Sequence, residues 1–212
     1  MVHHRYLMDV VIVTTGDVDY ARAEQFLPMV SELRRRRIER KRRDEDKLQA
    51  LAAGLLVSSE LSRRSGIPRE KLRYSHGAFG KPYLIGSDVQ FSLSHTRGAV
   101  CAAFSEEGEV GADIERKDRR ISERLYTRVL SEKERQLVAS GEDLIRLWVQ
   151  KEAFLKRIGT GIVDDLRGAD TTLIRDTAAL DCGEFLLGIS GCGAHSAEVR
   201  CITFDELTRQ FD

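Results

Sequence analysis

Two carboxylates one residue apart, Asp113 and Glu115 in Val110-Gly111-Ala112-Asp113-Ile114-Glu115, are the residues whose spacing first suggests chemistry. In a strand they share a face with backbones about 6.6 Å apart, and both side chains can converge on one cation while Ile114 turns to the core. Oxygen-only ligands suit Mg²⁺, which binds through one or two protein carboxylates and keeps waters and substrate phosphates as its other ligands. The same alternation describes any half-exposed strand. A third acid, Glu152, lies in the helical stretch 144–158. There Leu144, Leu147, Trp148, Leu155 and Ile158 make one apolar stripe, and Lys151 falls within it. A buried lysine is costly unless paired. Lys151 therefore reads as a fixed counter-charge that orients an acidic cluster of Glu152, Asp113 and Glu115. A Glu152–Lys156 ion pair along the helix, worth about 0.3–0.5 kcal/mol, accounts for Lys156 and leaves Lys151 unexplained.

Two other segments offer groups that bind anions. Phe91-Ser92-Leu93-Ser94-His95-Thr96-Arg97-Gly98 ends a strand with hydroxyls, an imidazole and a guanidinium before a glycine turn. Gly80-Lys81-Pro82 fixes where a lysine stem starts at the entry to a strand, although turn chemistry alone explains that tripeptide. Eight of the ten residues 34–43 are Lys or Arg, with Glu39 the single acid. Such a run is a solvated helix face or an anion-binding surface. A nucleic-acid-binding protein without catalysis is the alternative it raises. Against it, the whole chain carries 34 basic and 34 acidic residues and lacks the basic excess of such binders.

These residues need rigid elements to hold them. The 212 residues, 42% hydrophobic and 32% charged, are enough for a sizeable core. No apolar run approaches the roughly 18 residues of a membrane span, and residues 8–13 do not extend into a signal-peptide core. A cytoplasmic protein that avoids membranes is expected. The four cysteines show no zinc-type spacing and read as reduced, partly buried apolar residues. Residues 8–14 read as a strand. Residues 20–64 read as a helical stretch broken near Pro28 and Asp44 and ended by Gly66-Ile67-Pro68. Short strand-like runs follow at 72–75, 82–85, 89–93, 99–104 and 110–114. Helical periodicity returns over 121–158, and further strands are expected at 185–189 and 198–204. The fold class is α+β, or mixed α/β.

The order of the blocks is more specific than any one of them. Gly80-Lys81-Pro82, Phe91-Ser92-Leu93-Ser94-His95, Gly111-Ala112-Asp113-Ile114-Glu115 and Trp148-x-x-Lys151-Glu152-Ala153-x-x-Lys156 are followed by Gly159-Thr160-Gly161. This series resembles the 4'-phosphopantetheinyl transferases of the Sfp type over roughly residues 31–161. The resemblance implies two similar α/β halves related by pseudo-twofold symmetry, 1–104 and 105–212, the second carrying the metal site. Coenzyme A would lie in the cleft between them. It also implies a reaction: the phosphopantetheine arm of coenzyme A passes to a serine of an acyl or peptidyl carrier protein, and adenosine 3',5'-bisphosphate leaves. Fatty-acid, polyketide and nonribosomal peptide pathways are not distinguished, and a monomer is expected.

By similarity, Lys81, Ser94 and His95 would hold the nucleotide and its phosphates, and Lys156 would neutralise the pyrophosphate. Arg34 and Arg37 fall near positions where the family places basic residues against the 3'-phosphate. Asp113, Glu115 and Glu152 would bind Mg²⁺ or Mn²⁺, with Glu152 also the general base toward the serine. Ala112 stands where relatives often carry a larger aliphatic residue. Arg119, Arg120 and Arg124 follow the metal strand and could meet an acidic carrier.

Overall fold

The computed structural model of the chain describes residues 8–16, 18–120, 122–160 and 165–211, with backbone alone for 123–125. Ile121, Gly161 and the side chain of Arg124 lie outside the described residues. Strand β1 is Asp9–Thr14. The basic helical stretch divides into α1 (Tyr20–Ala23), a 3-10 turn at Glu24–Met29 that contains Pro28, α2 (Glu32–Glu39) and α3 (Asp44–Ser65). Three acids in the first turn of α3 and Arg63 and Arg64 in its last turn match the helix dipole, and Gly66 caps it in the left-handed conformation. Then come β2 (Tyr74–His76), β3 (Pro82–Leu84), β4 (Gln90–Thr96), β5 (Ala99–Ser105) and β6 (Gly111–Arg116). Expected helical residues 121–158 form three helices: α4 (Glu123–Val129), α5 (Glu132–Arg135) and α6 (Gly141–Ile158). The chain finishes with β7 (Thr177–Cys182), β8 (Phe185–Ser190), β9 (Glu198–Thr203) and α7 (Phe204–Thr208). Strand β7 was not expected from the sequence.

The strands form a four-stranded sheet, β4-β5-β1-β9, a three-stranded sheet, β6-β8-β7, and the β2–β3 hairpin. Alternation along β1 sends Val11 and Val13 to one side and Val10 and Ile12 to the other. Val11 and Val13 pack with Val100, Ala102 and Phe104 of β5 beneath Leu51 and Leu55 of α3. Val10 and Ile12 join Cys101 and Ala103 against Ala112 and Ile114 of β6 and Leu187 and Ile189 of β8. The layers run α3, first sheet, second sheet, α6. Among the described residues no helix is long and apolar enough to cross a membrane.

Two expectations need adjustment. The division at residue 104 would place residues 198–211 with the second half. Instead β9 pairs parallel with β1 and extends the first sheet, because Val199 and Ile202 find apolar neighbours there. Of the cysteines, Cys101 is buried and Cys182 half-buried, whereas Cys192 and Cys201 are exposed.

Helix α6 lies on the second sheet at a distance set by two glycines. A Cβ on Gly111 of β6 would stand under 3 Å from the Ala153 carbonyl and the Arg157 amide; one on Gly188 of β8 would stand equally close to the Val149 carbonyl and the Gln150 amide. Those are backbone atoms, so relief requires moving the helix. Ile145, Val149 and Ala153, spaced four apart, face this contact. Gly111→Ala and Gly188→Ala should each lower stability in urea unfolding by about 3 kcal/mol, the overpacking range. Gly168→Ala, whose Cβ meets nothing within 4 Å, should leave the midpoint unchanged.

Candidate active site

Strand β4, at the edge of the first sheet, faces β6, at the edge of the second, and three hydroxyls join them. Ser92, Ser94 and Thr96 alternate onto one face of β4. Ser92 Oγ accepts from the Ala112 amide at 3.0 Å, Ser94 Oγ donates to Asp113 Oδ1 at 2.7 Å, and Thr96 Oγ1 donates to Glu115 Oε2 at 3.0 Å. The motif that reads as a set of anion donors thus serves first to position the carboxylate strand. Ser94 is buried and already committed to Asp113.

From the opposite side α6 brings Glu152 and Lys156. Seven residues are nearly two helical turns, so Glu152 stands below Ile145 on the sheet-facing side, and Lys156 is one turn further on. Lys156 Nζ donates to Asp113 Oδ1 at 2.6 Å and to Ser94 Oγ at 2.9 Å. Asp113 Oδ2 is buried without a partner among the described residues. Glu152 is half-buried, with no hydrogen bond or ion pair among the described residues. Burial, followed by the charge of Asp113, holds its carboxyl above the usual range against the opposing pull of Lys156 and Arg119. Glu115 pairs through its other oxygen with Arg119, whose guanidinium lies 5.0 Å from the centre of the Trp148 ring.

Among the described residues no three ligating side chains stand close enough to hold a metal ion. Lys156 and Arg119 occupy Asp113 and Glu115 instead. The chemistry of the residues nevertheless suits a hard divalent cation: Asp113 and Glu115 of β6 and Glu152 of α6 offer oxygen donors only, Asp113 lies near enough for its charge to act on Glu152, and one buried oxygen of Asp113 has no donor among the described residues.

The expected phosphate-binding cations are spread around this centre. His95 is exposed at the end of β4; crowding by the protein, then Lys41 and Lys156, lowers its pKa against Asp46 and Asp113. Lys41 was not singled out in the sequence, because within a run of eight basic residues nothing marks the one that faces β4. Arg34 is half-buried across Gly54 of α3 and donates to the Ala50 carbonyl at 3.4 Å, while Arg37 is exposed on α2. Lys81 pairs with Glu109 and donates to the Arg157 carbonyl at 2.9 Å. It lines a cleft of about 400 Å³ between the β2–β3 hairpin and the end of α6.

Lys151 does not orient the acidic cluster. It is fully buried on the other side of α6, where Nζ donates to Glu134 Oε2 at 2.6 Å, the Val129 carbonyl at 2.6 Å and the Leu166 carbonyl at 3.0 Å. Its three donors are all used. Glu134 also accepts from the Ser131 and Thr171 amides. Burial alone would raise Glu134, but Lys151 and these amides outweigh it and hold the carboxyl below its ordinary range. Glu134 and its capping box at Ser131 were missed in the sequence. The stripe also needs correction at Ile158, which is exposed.

Residues 109–188, which contain β6, α6 and the first part of β8, match the model of the 4'-phosphopantetheinyl transferase superfamily. The 4'-phosphopantetheinyl transferase Sfp of Bacillus subtilis (strain 168) is 32% identical over 146 residues, 66% of this chain and 64% of that protein. The 4'-phosphopantetheinyl transferase ffp of Bacillus subtilis is 29% identical over 146 residues, with the same coverage. The 4'-phosphopantetheinyl transferase AcpT of Salmonella typhi is 32% identical over 154 residues, 67% of this chain and 74% of that protein. This chain belongs to the 4'-phosphopantetheinyl transferase family and resembles its Sfp type. It spans just under two thirds of the length of the two Bacillus relatives.

The saturated Lys151–Glu134 pair makes a stability prediction. Lys151→Met should cost about 3–5 kcal/mol in chemical unfolding by leaving a buried carboxylate uncompensated. Adding Glu134→Gln should recover part of that loss, a non-additivity readable as a double-mutant cycle.

Proposed function

We propose that this protein transfers the 4'-phosphopantetheine arm of coenzyme A to a serine hydroxyl of an acyl or peptidyl carrier protein and releases adenosine 3',5'-bisphosphate. The observation that carries the reading is Asp113, buried at the junction of the two sheets with one oxygen unpartnered among the described residues and flanked by Lys156 and Glu152. Family membership supplies the reaction class, and the site has the groups that this reaction requires.

Coenzyme A would lie along the seam between the halves 1–104 and 105–212, with β9 and α7 returned to the first. Lys81 in the hairpin cleft, His95 and Ser94 on β4, and Arg34 and Arg37 on α2 would hold the nucleotide and its phosphates. A 3'-phosphate of about −1.5 to −2 charge and a pyrophosphate need cations placed apart, and these residues come from separate elements. Asp113, Glu115 and Glu152 would hold Mg²⁺ or Mn²⁺, which supplies Lewis-acid polarisation of the pyrophosphate and stabilises the leaving bisphosphate.

The carboxylate of Glu152 takes the proton from the carrier serine Oγ, directly or through one water. A bond forms from Oγ to the phosphorus that carries the pantetheine arm. The bridging P–O bond breaks, and its electron pair leaves on the bisphosphate. The position of Glu152 suits this role: half-buried, free of hydrogen-bonding partners among the described residues, and raised above an ordinary carboxylate. A stronger base than a solvated glutamate is poised nearer neutrality. Lys156, one turn along α6, offsets negative charge on the pyrophosphate, while Ser94 fixes both Lys156 and Asp113.

Intact-mass analysis of apo carrier proteins incubated with the protein, coenzyme A and Mg²⁺ tests the reading. A chelator-sensitive gain of about 340 Da, the mass of the phosphopantetheine arm, is expected on a carrier serine. Glu152→Gln should abolish the gain while leaving the thermal midpoint near that of wild type; near-native turnover by that variant would remove the general-base role. No gain on any carrier, with coenzyme A binding demonstrated, would overturn the proposed acceptor.

A further inference from the structure

One cation in the acidic site has no part in the mechanism above. Arg119 belongs to the turn after β6, where its amide donates to the Arg116 carbonyl at 3.2 Å, and this turn carries the guanidinium back to Glu115, four residues earlier. The Arg119 side chain is 35% exposed and that of Glu115 only 15%, so the pair sits at the mouth of the site rather than in open solvent. The same guanidinium lies over Trp148, one helical turn before Glu152 on α6. Arg119 therefore touches one proposed metal ligand and an aromatic ring beside another.

We infer that Arg119 is the resident counter-ion of the acidic site: it pairs with Glu115 when no divalent cation is bound, competes with that cation, and lets go of Glu115 when the cation enters. This rests on the reading of Asp113, Glu115 and Glu152 as metal ligands. Asp113 and Glu115 share one face of β6, and their like charges repel. Lys156 is held on Asp113, and Arg119 neutralises a second member of the cluster without entering its buried interior. A divalent cation at the Arg119-bound oxygen of Glu115 would stand beside the guanidinium, and the two positive charges would repel. The Trp148 face gives the guanidinium somewhere to remain after release. A planar, weakly hydrated cation suits that stacking, and a lysine ammonium suits it less well. Arg119 is thus a positioning residue that sets metal affinity, and Trp148 reports its movement.

The chain has a single tryptophan, so the movement is visible. Binding of Mn²⁺ to the ligand-free protein can be followed by the electron paramagnetic resonance signal of the free ion, and Trp148 emission can be recorded against Mg²⁺ in parallel. Arg119→Gln should lower the half-saturating Mn²⁺ concentration about fivefold, the size of a partly exposed ion pair. Arg119→Lys should return it toward the wild-type value. Arg116→Gln removes the same charge from a residue that pairs with Asp118 and Glu184, and it should leave the midpoint unchanged. Mg²⁺ should shift Trp148 emission in the wild type and not in Arg119→Gln. Equal or weaker Mn²⁺ binding by Arg119→Gln, with binding abolished in Asp113→Asn, would overturn the competition and leave the metal site standing. Absence of specific Mn²⁺ binding in the wild type and every variant would remove the metal site itself, and the inference with it.

Discussion

The close approach of α6 to the second sheet is the constraint on which the candidate site depends. Gly111 and Gly188 let the helix backbone rest against β6 and β8 with no side chain between them at those points. Lys156 reaches Asp113 because that distance is short, and Glu152 follows one turn earlier. A methyl group at either glycine would act on helix backbone, and interiors packed at crystal-like density have little free volume to absorb the shift. Stability and site geometry therefore share a single packing contact. The small side chains of Ala112 and Ala153, both fully buried, belong to the same arrangement.

The charges around α6 illustrate how satisfaction separates a structural group from a functional one. Lys151 and Glu134 are both fully buried, yet every donor of the lysine has an acceptor and the glutamate collects two backbone amides besides. Nothing in that pair is left to bind a ligand. Asp113 is nearly as buried and keeps one oxygen without a donor among the described residues. A native fold seldom leaves such an atom without a reason, since each one forfeits hydrogen bonds it had in water. The first arrangement anchors α4 and α5 to α6; the second leaves coordination capacity where two sheets meet.

Much of this was legible in the sequence because it is local. The periodic residues of α3 and α6 give their helices, Gly66 and Gly159 mark their ends, and the apolar run in β1 gives a buried strand. Asp113 and Glu115 on one face of a strand follow from a period of two, and the structure places both beside α6. What local pattern does not carry is adjacency between elements. The parallel pairing of β9 with β1 joins residues about 190 positions apart and has no signature in either segment. Strand β7 was missed because Thr177–Cys182 is only partly buried and has no run of β-branched or aromatic residues. The reason for Gly188 lies in a helix almost forty residues earlier.

The assignment of Lys151 shows where sequence proximity misleads. Lys151 and Glu152 are consecutive, but consecutive residues on a helix diverge by about 100°, and α6 is covered on two sides. Ile145, Val149 and Ala153 face the sheet; Leu144, Trp148 and Leu155 face the layer that contains Val129 and Leu130. Each charged residue meets what its own side offers: Lys156 pairs with Asp113 across the sheet seam, Glu152 lies near Asp113 without a partner among the described residues, and Lys151 pairs with Glu134. A single apolar stripe was visible in the sequence because its residues are large. The sheet-facing side was less visible because close approach selects glycine and alanine, which contribute little to a hydrophobic pattern. The contact that builds the site is therefore among the faintest in the sequence, and the more prominent stripe belongs to the anchor behind it.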